Sequence, residues 1–284
     1  MLARKIALNA IISAGARIIG IALALIILSL IARHLGQSGF GAYATVLAFL
    51  YIFNVLADLG LYSITIREIS KEGAEEEKIV SNAFTLRLVA GLLMFGLASL
   101  IALFLPYPAQ VKWGIVLAAL GFWALSNGQV LIGVFQKYLR MERVAIAELA
   151  GRIVHLALVF FFIKQGAGFL SILAAFVGGG IINFGFIFFL SQRYIPIKLQ
   201  FDFSFWKKLL KESYPLAIAA VLVMIYFKLD TIMLSLMKES AAVGIYGLAY
   251  KILESLIFFP AMFVGLVMPF LSKYAFLDQK KFRQ

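Results

Sequence analysis

The sequence predicts an all-α integral membrane protein of eight transmembrane helices. The run from Gly39 to Ile64, GFGAYATVLAFLYIFNVLADLGLYSI, is too long and too apolar for the core helix of a soluble domain, and at least seven comparable runs accompany it. A bilayer core of about 30 Å needs roughly 20 apolar residues of helix. Composition agrees: 63% of residues are hydrophobic, 14% are charged, and the mean hydropathy is +0.98. The basic residues also fall mainly on alternate connections between the runs, as expected of a chain threaded through a membrane.

The spans follow in order at 6–32, 41–64, 82–105, 111–135, 144–163, 168–190, 214–237 and 243–268. The start, MLARKIALN, has the charge of a signal peptide. The stretch after it is too long for one, is interrupted by Arg17, and ends in Arg33-His34 without a small-residue cleavage site, so it reads as a retained first helix. Gly36 and Gly39 separate spans one and two, and the charged segment 67–78 separates two and three. Pro106-Tyr107-Pro108, the Lys137–Arg143 run, Lys164-Gln165-Gly166 and the linker 191–212 supply the later breaks. The Gly178-Gly179-Gly180 run inside span six follows no strand and is no phosphate loop; close helix packing or a bend accounts for it.

With the N-terminus in the cytoplasm, that side receives seventeen of the 26 Lys and Arg residues, and the outside receives only Arg33, Lys112, Lys164 and Lys238. Both termini are therefore expected in the cytoplasm of a multi-pass plasma (inner) membrane protein. The net charge of +12 is read as orientation, and no nucleic-acid partner is implied. The chain has no cysteine, and His34 and His155 lie far apart, so neither disulfides nor a metal site nor a cofactor is indicated.

Two segments on the cytoplasmic side combine apolar and charged residues. Residues 65–81 carry Ile66, Ile69 and Ile79 beside Glu75-Glu76-Glu77, and 201–212, FDFSFWKKLLKE, alternates Phe and Trp with lysines. Each reads either as a surface helix at the lipid headgroups or as a solvated connector.

A short echo joins the two ends of the chain. Span two opens with Phe40-Gly41-Ala42-Tyr43 and span eight with Val243-Gly244-Ile245-Tyr246, an offset of 203 residues. Transporters are commonly built from internal repeats. On that reading spans one to six, residues 1–200, form a complete first lobe. Residues 201–284 then hold the interfacial segment and the first two helices of a second lobe, and a complete pattern would need about 400 residues.

The segment LGQSGFGAYATVLAFLYIFNVLADLGLYSITIREIS resembles the first loop and second helix of the oligosaccharide flippases, the Wzx-like polysaccharide exporters of the multidrug/oligosaccharidyl-lipid/polysaccharide (MOP) superfamily. ESYPLAIAAVLVMIYFKLDTIMLSLMKESAAVGIYGLAYKILESLIFFPAMFVGLVMPFLSKY is similar to their seventh and eighth helices, through Y-P-L-A, K-L-D, V-G-I-Y and Y-K-I-L-E. The resemblance implies a MATE/MOP-like helical bundle around a central cavity. It also implies flipping of a lipid-linked, polyprenyl-diphosphate oligosaccharide for cell-surface polysaccharide biosynthesis. Family members usually have twelve to fourteen spans, so a separate chain could supply the helices this sequence lacks.

Charges inside spans are expensive in lipid and normally face a cavity or a partner. Arg17 sits mid-span in the first helix, Asp58 and Arg87 near the cytoplasmic ends of spans two and three, and Glu148 and Arg152 on span five. Lys228 and Asp230 are on span seven, Lys251 and Glu254 on span eight. At 1.5 Å per residue, Lys228 and Lys251 lie about 13 and 12 Å from the outer surface, so they share a level. Lys251 and Glu254 can pair at i and i+3. Arg17, Lys228 and Lys251, with Arg87 and Arg152, are substrate-binding candidates, since guanidinium and ammonium groups suit a diphosphate. Asp58, Asp230 and Glu254 are candidates for coupling to H+ or Na+. Other readings stand beside these: snorkelling for Arg87 and Glu148, a Glu148–Arg152 pair, a brace at Asp58-Leu59-Gly60, and packing for His155.

An integral membrane glycosyltransferase or acyltransferase would need carboxylates or a His/Asp constellation on a substantial loop, which the sequence lacks. Closer alternatives are a MATE-type multidrug or cation antiporter, a lipid II flippase-like protein, and a non-transporting fragment. Reporter fusions at Pro108, Lys164 and Lys238 are expected to report outside, and a fusion at Lys208 inside. A reversed result at two of these sites overturns the topology.

Overall fold

The computed structural model describes residues 2–254 and 256, with side chains from Gly15 onward. The predicted end of span eight, 257–268, lies outside the described residues, as do the side chains of span one before Gly15. Among the described residues every element is a helix: α1 (Leu2–Asp58), α2 (Leu61–Ile69), α3 (Glu76–Phe104), α4 (Ala109–Lys137), α5 (Met141–Lys164), α6 (Phe169–Ser191) and α7 (Phe203–Met237). Residues 240–254 form a further helix, α8. Among the described residues, six stretches are long and apolar enough to cross a membrane. Residues to Gly244 form one compact unit, and a second begins at Ile245.

The first of those six stretches turns back on itself. Gly36, at φ 66° and ψ −177°, interrupts α1, a left-handed geometry suited to glycine. Before the turn, Arg152 of α5 reaches the Gly20 carbonyl, and His34 Nε2 lies 2.8 Å from the Ala167 carbonyl beyond the end of α5. That half of α1 therefore runs parallel to α5. After the turn the contacts run the other way: Phe49 edges onto Tyr107, Tyr51 onto Phe122, and Asp58 meets Arg87. The expected eight-residue break at 33–40 is one residue, with helix on both sides.

These contacts define two ends of the bundle. Tyr107 bonds Ser235 of α7 at 2.9 Å, so Gly36, Tyr107, Ala167 and Lys238 share one end. At the other, Lys137 Nζ donates to Glu76 Oε1 at 2.6 Å and to the Ile69 carbonyl, and Arg67 bonds Glu212. Tyr138 donates its hydroxyl to Glu76 at 2.7 Å. That carboxylate pushes the phenol pKa up to about 12, so Tyr138 remains a donor throughout the neutral range.

Helices α4, α5 and α6 approach closely through glycines. A Cβ on Gly180 would lie 3.1 Å from the Gly121 carbonyl of α4, and one on Gly179 would lie 2.8 Å from the Gly151 carbonyl of α5. Consecutive glycines of the Gly178-Gly179-Gly180 run thus seat α6 against two neighbours, the close packing expected from the sequence. His155 packs edge-on to Phe176 at 6.0 Å, and its buried Nε2 has no hydrogen-bond partner among the described residues. Packing accounts for it.

Helix α7 starts eleven residues before the predicted span, at Phe203, and continues through Pro215. Asp202 caps it, its carboxylate accepting from Phe205 N at 3.0 Å. Here the sequence expectation of a headgroup helix changes. Trp206 (8% exposed) and Leu209 (1%) pack with Leu61, Ile64, Ala83, Leu86 and Val130, so the protein covers this side. Phe201, Phe203 and the lysines at 207, 208 and 211 are the exposed side. Residues 65–81 behave alike: Ile69 and Ile79 are buried in a cluster with Phe84, Leu131 and Phe135.

The linker between α6 and α7 lies extended along a polar stripe of α3. Its amides at Lys198, Gln200 and Asp202 donate to Ser81 Oγ, Thr85 Oγ1 and Asn82 Oδ1 at 3.0–3.1 Å, alternate residues as an extended chain requires. Asn82 also accepts from Trp206 Nε1 at 3.2 Å and donates to Gln200 Oε1 at 2.9 Å. One buried asparagine thus fixes both the linker and the first turn of α7.

Candidate intramembrane charge site

The second half of α1 carries the site. Tyr51 and Asp58 are seven residues apart, two turns of helix, so they share one face. Each meets a cation from another helix.

At Asp58, Arg87 of α3 has no exposed surface. Its Nη1 donates to Asp58 Oδ1 at 2.8 Å, its Nε to the Ser126 carbonyl at 3.2 Å and its Nη2 to Gln129 Oε1 at 3.2 Å. Arg87 therefore does not snorkel. A guanidinium has no acceptor capacity and cannot shed its proton, so inside a bundle it must be met on several sides. Here α1 supplies the counter-charge and α4 two neutral acceptors. The structure joins a substrate-binding candidate to a coupling candidate and makes Asp58 a brace at the end of α1.

The backbone reverses immediately after that pair. Leu59 (φ 50°) and Gly60 (φ 72°) break the helix before α2. A Cβ on Gly60 would lie 3.0 Å from the Ser213 carbonyl and 3.2 Å from Leu216 Cβ, so α7 rests directly on the break near Pro215. The turn needs glycine for its backbone angle and for this approach.

Two turns along, Lys228 of α7 is 7% exposed, with its Nζ 5.2 Å from the centroid of the Tyr51 ring. The ring face is negative, so this is a cation–π contact. Tyr51 in turn stands edge-on to Phe122 of α4 at 5.1 Å. Asp230, two residues on, accepts from Thr231 N at 2.6 Å.

The remaining candidates lie elsewhere. Arg17 is on the exposed side of α1. Arg152 donates to the Gly20 carbonyl at 2.9 Å rather than pairing with Glu148, which is exposed on the same helix. In the second unit, Lys251 and Glu254 pair at 2.7 Å, as their spacing predicts. No group of three or more potential metal ligands occurs among the described residues.

Sequence reading did not select Tyr51, Ser126 or Gln129. The Ser126-Asn127-Gly128-Gln129 stretch inside an apolar span was a usable signal, because such polar groups need partners in lipid. Tyr51 had no such mark among the 40 other Phe, Tyr and Trp residues of the chain.

Removing Asp58 leaves a buried guanidinium without its counter-charge. Asp58→Ala is expected to destabilise the detergent-solubilised protein by about 3–5 kcal/mol, and Asp58→Ala with Arg87→Leu to recover most of that loss. Thermal or denaturant unfolding of the two single variants and the double variant measures the coupling. Additive losses would show that the pair does not brace the fold.

The comparisons with known proteins bear on the whole chain. The model of one family, described as polysaccharide biosynthesis protein, matches residues 6–275. No curated protein and no solved structure matches the chain. A match over nearly the full length, on a chain of long apolar helices with cations held inside them, settles the family: the chain belongs to the polysaccharide biosynthesis protein family, that of the Wzx-like polysaccharide and oligosaccharide flippases.

Proposed function

We propose that this protein moves a polyprenyl-diphosphate-linked oligosaccharide across the plasma membrane by alternating access, with eight of its spans in this chain and both termini in the cytoplasm. Family membership supports the substrate class. Lys228 carries the head-group reading: it is an ammonium buried within an apolar helix, with its Nζ over the face of the Tyr51 ring. An ammonium at this depth suits a diphosphate, with which it can form charge-assisted hydrogen bonds stronger than a cation–π contact.

Arg17 and Lys251 are the other head-group candidates, with the lipid tail remaining in the bilayer. Arg87 and Arg152 hold the framework through Asp58 and the Gly20 carbonyl. Asp230 and Glu254 are the coupling candidates for H+ or Na+, since a carboxylate near cations changes protonation with modest changes of surroundings. Asp58 is less suited to that role, and its pairing with Arg87 also disfavours a cation antiporter, which would need its buried acids for cargo. The chemistry is transport rather than catalysis: family membership supports this, and the charged groups are on membrane helices rather than on an extended loop.

The test is complementation of a strain lacking its own exporter, with the chain expressed in its native reading frame. Lys228→Gln is expected to reduce surface glycan at least tenfold with membrane levels unchanged, about 1.4 kcal/mol or more in the transport cycle. Arg17→Gln and Lys251→Gln are expected to act in the same direction. Normal export by all three variants overturns the head-group assignment.

A further inference from the structure

The two glycines of the sequence echo meet each other. A Cβ built on Gly41 would overlap the carbonyl oxygen of Ser240 and lie 2.9 Å from Gly244 N. A Cβ built on Gly244 would overlap the carbonyl oxygen of Gln37 and lie 3.1 Å from Gly41 N. Gln37 precedes Gly41 by four residues, as Ser240 precedes Gly244. Each helix thus offers its partner the same two backbone groups at the same offset. That reciprocity is the mark of a contact lying on a two-fold axis. The preceding echo residues, Phe40 and Val243, are both buried. One turn further on, Thr45 is buried too, its hydroxyl donating to the Gly41 carbonyl at 2.9 Å.

We infer that Gly41 and Gly244 form the closing contact of the bundle at the Gly36 end, and that this contact opens during transport. The inference rests on the alternating-access reading above and names the residues that close one side. Repeats related by a two-fold axis rock against each other about it, so a contact on the axis is where one end seals or parts. Its chemistry suits that task. The two backbones meet directly, and the weak Cα–H···O and dispersion contacts available to them are individually small. At the opposite end a different pair of elements, α2 and α7, is joined by the Arg67–Glu212 ion pair. At the Gly36 end the Gly41–Gly244 backbone contact stands beside neutral hydrogen bonds such as Tyr107–Ser235, with no ion pair like Arg67–Glu212 among the described residues. A methyl group on either glycine cannot be accommodated without moving the helices apart, because the obstacle is backbone.

The absence of cysteine makes the test direct. Thr45→Cys introduces a single thiol one turn inside the contact, and the full chain is placed in lipid nanodiscs, where both faces are open to a water-soluble maleimide. A closed form whose open state is a minor species, of order 0.1–10%, labels slowly. Gly41→Ala and Gly244→Ala are each expected to raise the labelling rate about tenfold. Gly96→Ala, which adds the same methyl group to α3 with nothing within 4 Å, is expected to leave the rate unchanged. Unchanged labelling in both clasp variants overturns the inference. So does loss of both proteins from the membrane while the Gly96 variant accumulates, because that is the behaviour of a permanent core contact. The readout involves no glycan: a chain that opens on these substitutions but does not restore export contradicts the proposed substrate and leaves the closing contact standing.

Discussion

Arg87 carries a permanent charge, five hydrogen-bond donors and no exposed surface, inside helices whose outer faces are written for lipid. Meeting that guanidinium fixes much of the architecture around it. Asp58, which supplies its counter-charge, is the last residue of α1, and Ser126 and Gln129 set the height of α4 beside it. The chain then reverses at Leu59-Gly60, where the missing glycine side chain lets α7 rest on the break. With α7 seated there, Lys228 comes to lie over Tyr51, two turns along the same face of α1. The framework cation thereby positions the cation proposed to act on substrate. Arg87 meets acceptors on two helices, and Lys228 lies over the face of an aromatic ring.

A second buried polar group does similar work on the connection between α6 and α7. Asn82 is 1% exposed and accepts from the linker backbone at Asp202 and from the Trp206 indole. Ser81 and Thr85 take the neighbouring linker amides. An extended segment has no internal partners for its own amides, so docking on a hydroxyl-lined helix face satisfies them where a free linker would rely on water. The same contacts hold Trp206 and Leu209 inward, which is why the FDFSFWKKLLKE segment packs on the bundle with one side and leaves its lysines and outer Phe residues exposed.

The membrane class, the helices and most breaks were legible in the sequence because lipid demands long apolar runs with charged or Gly/Pro interruptions. Helix ends were less legible. Hydropathy marks where lipid ends, not where helix ends, so α3 starts at Glu76 and α7 at Phe203, well before their apolar cores, and α7 passes through Pro215. The Lys251–Glu254 pair was readable from spacing alone because it is local. The Arg87–Asp58 and Lys228–Tyr51 contacts join residues 29 and 177 positions apart, and only packing decides such partners. Glu148 and Arg152 show the limit of spacing rules: four residues apart, yet Arg152 turns to a carbonyl on α1. The glycine echo was visible as a pattern, but its meaning depended on the two copies facing each other.

The most direct measurement of the central claim is lipid binding to the purified protein by native mass spectrometry, comparing a polyprenyl diphosphate with the polyprenol of equal chain length. The two ligands share a tail and differ only in the head group that Lys228 is proposed to recognise. The account predicts that the diphosphate is retained at least tenfold more strongly, a difference of about 1.4 kcal/mol, and that Lys228→Gln removes most of that preference. Equal retention of the two lipids by the unaltered protein would contradict it.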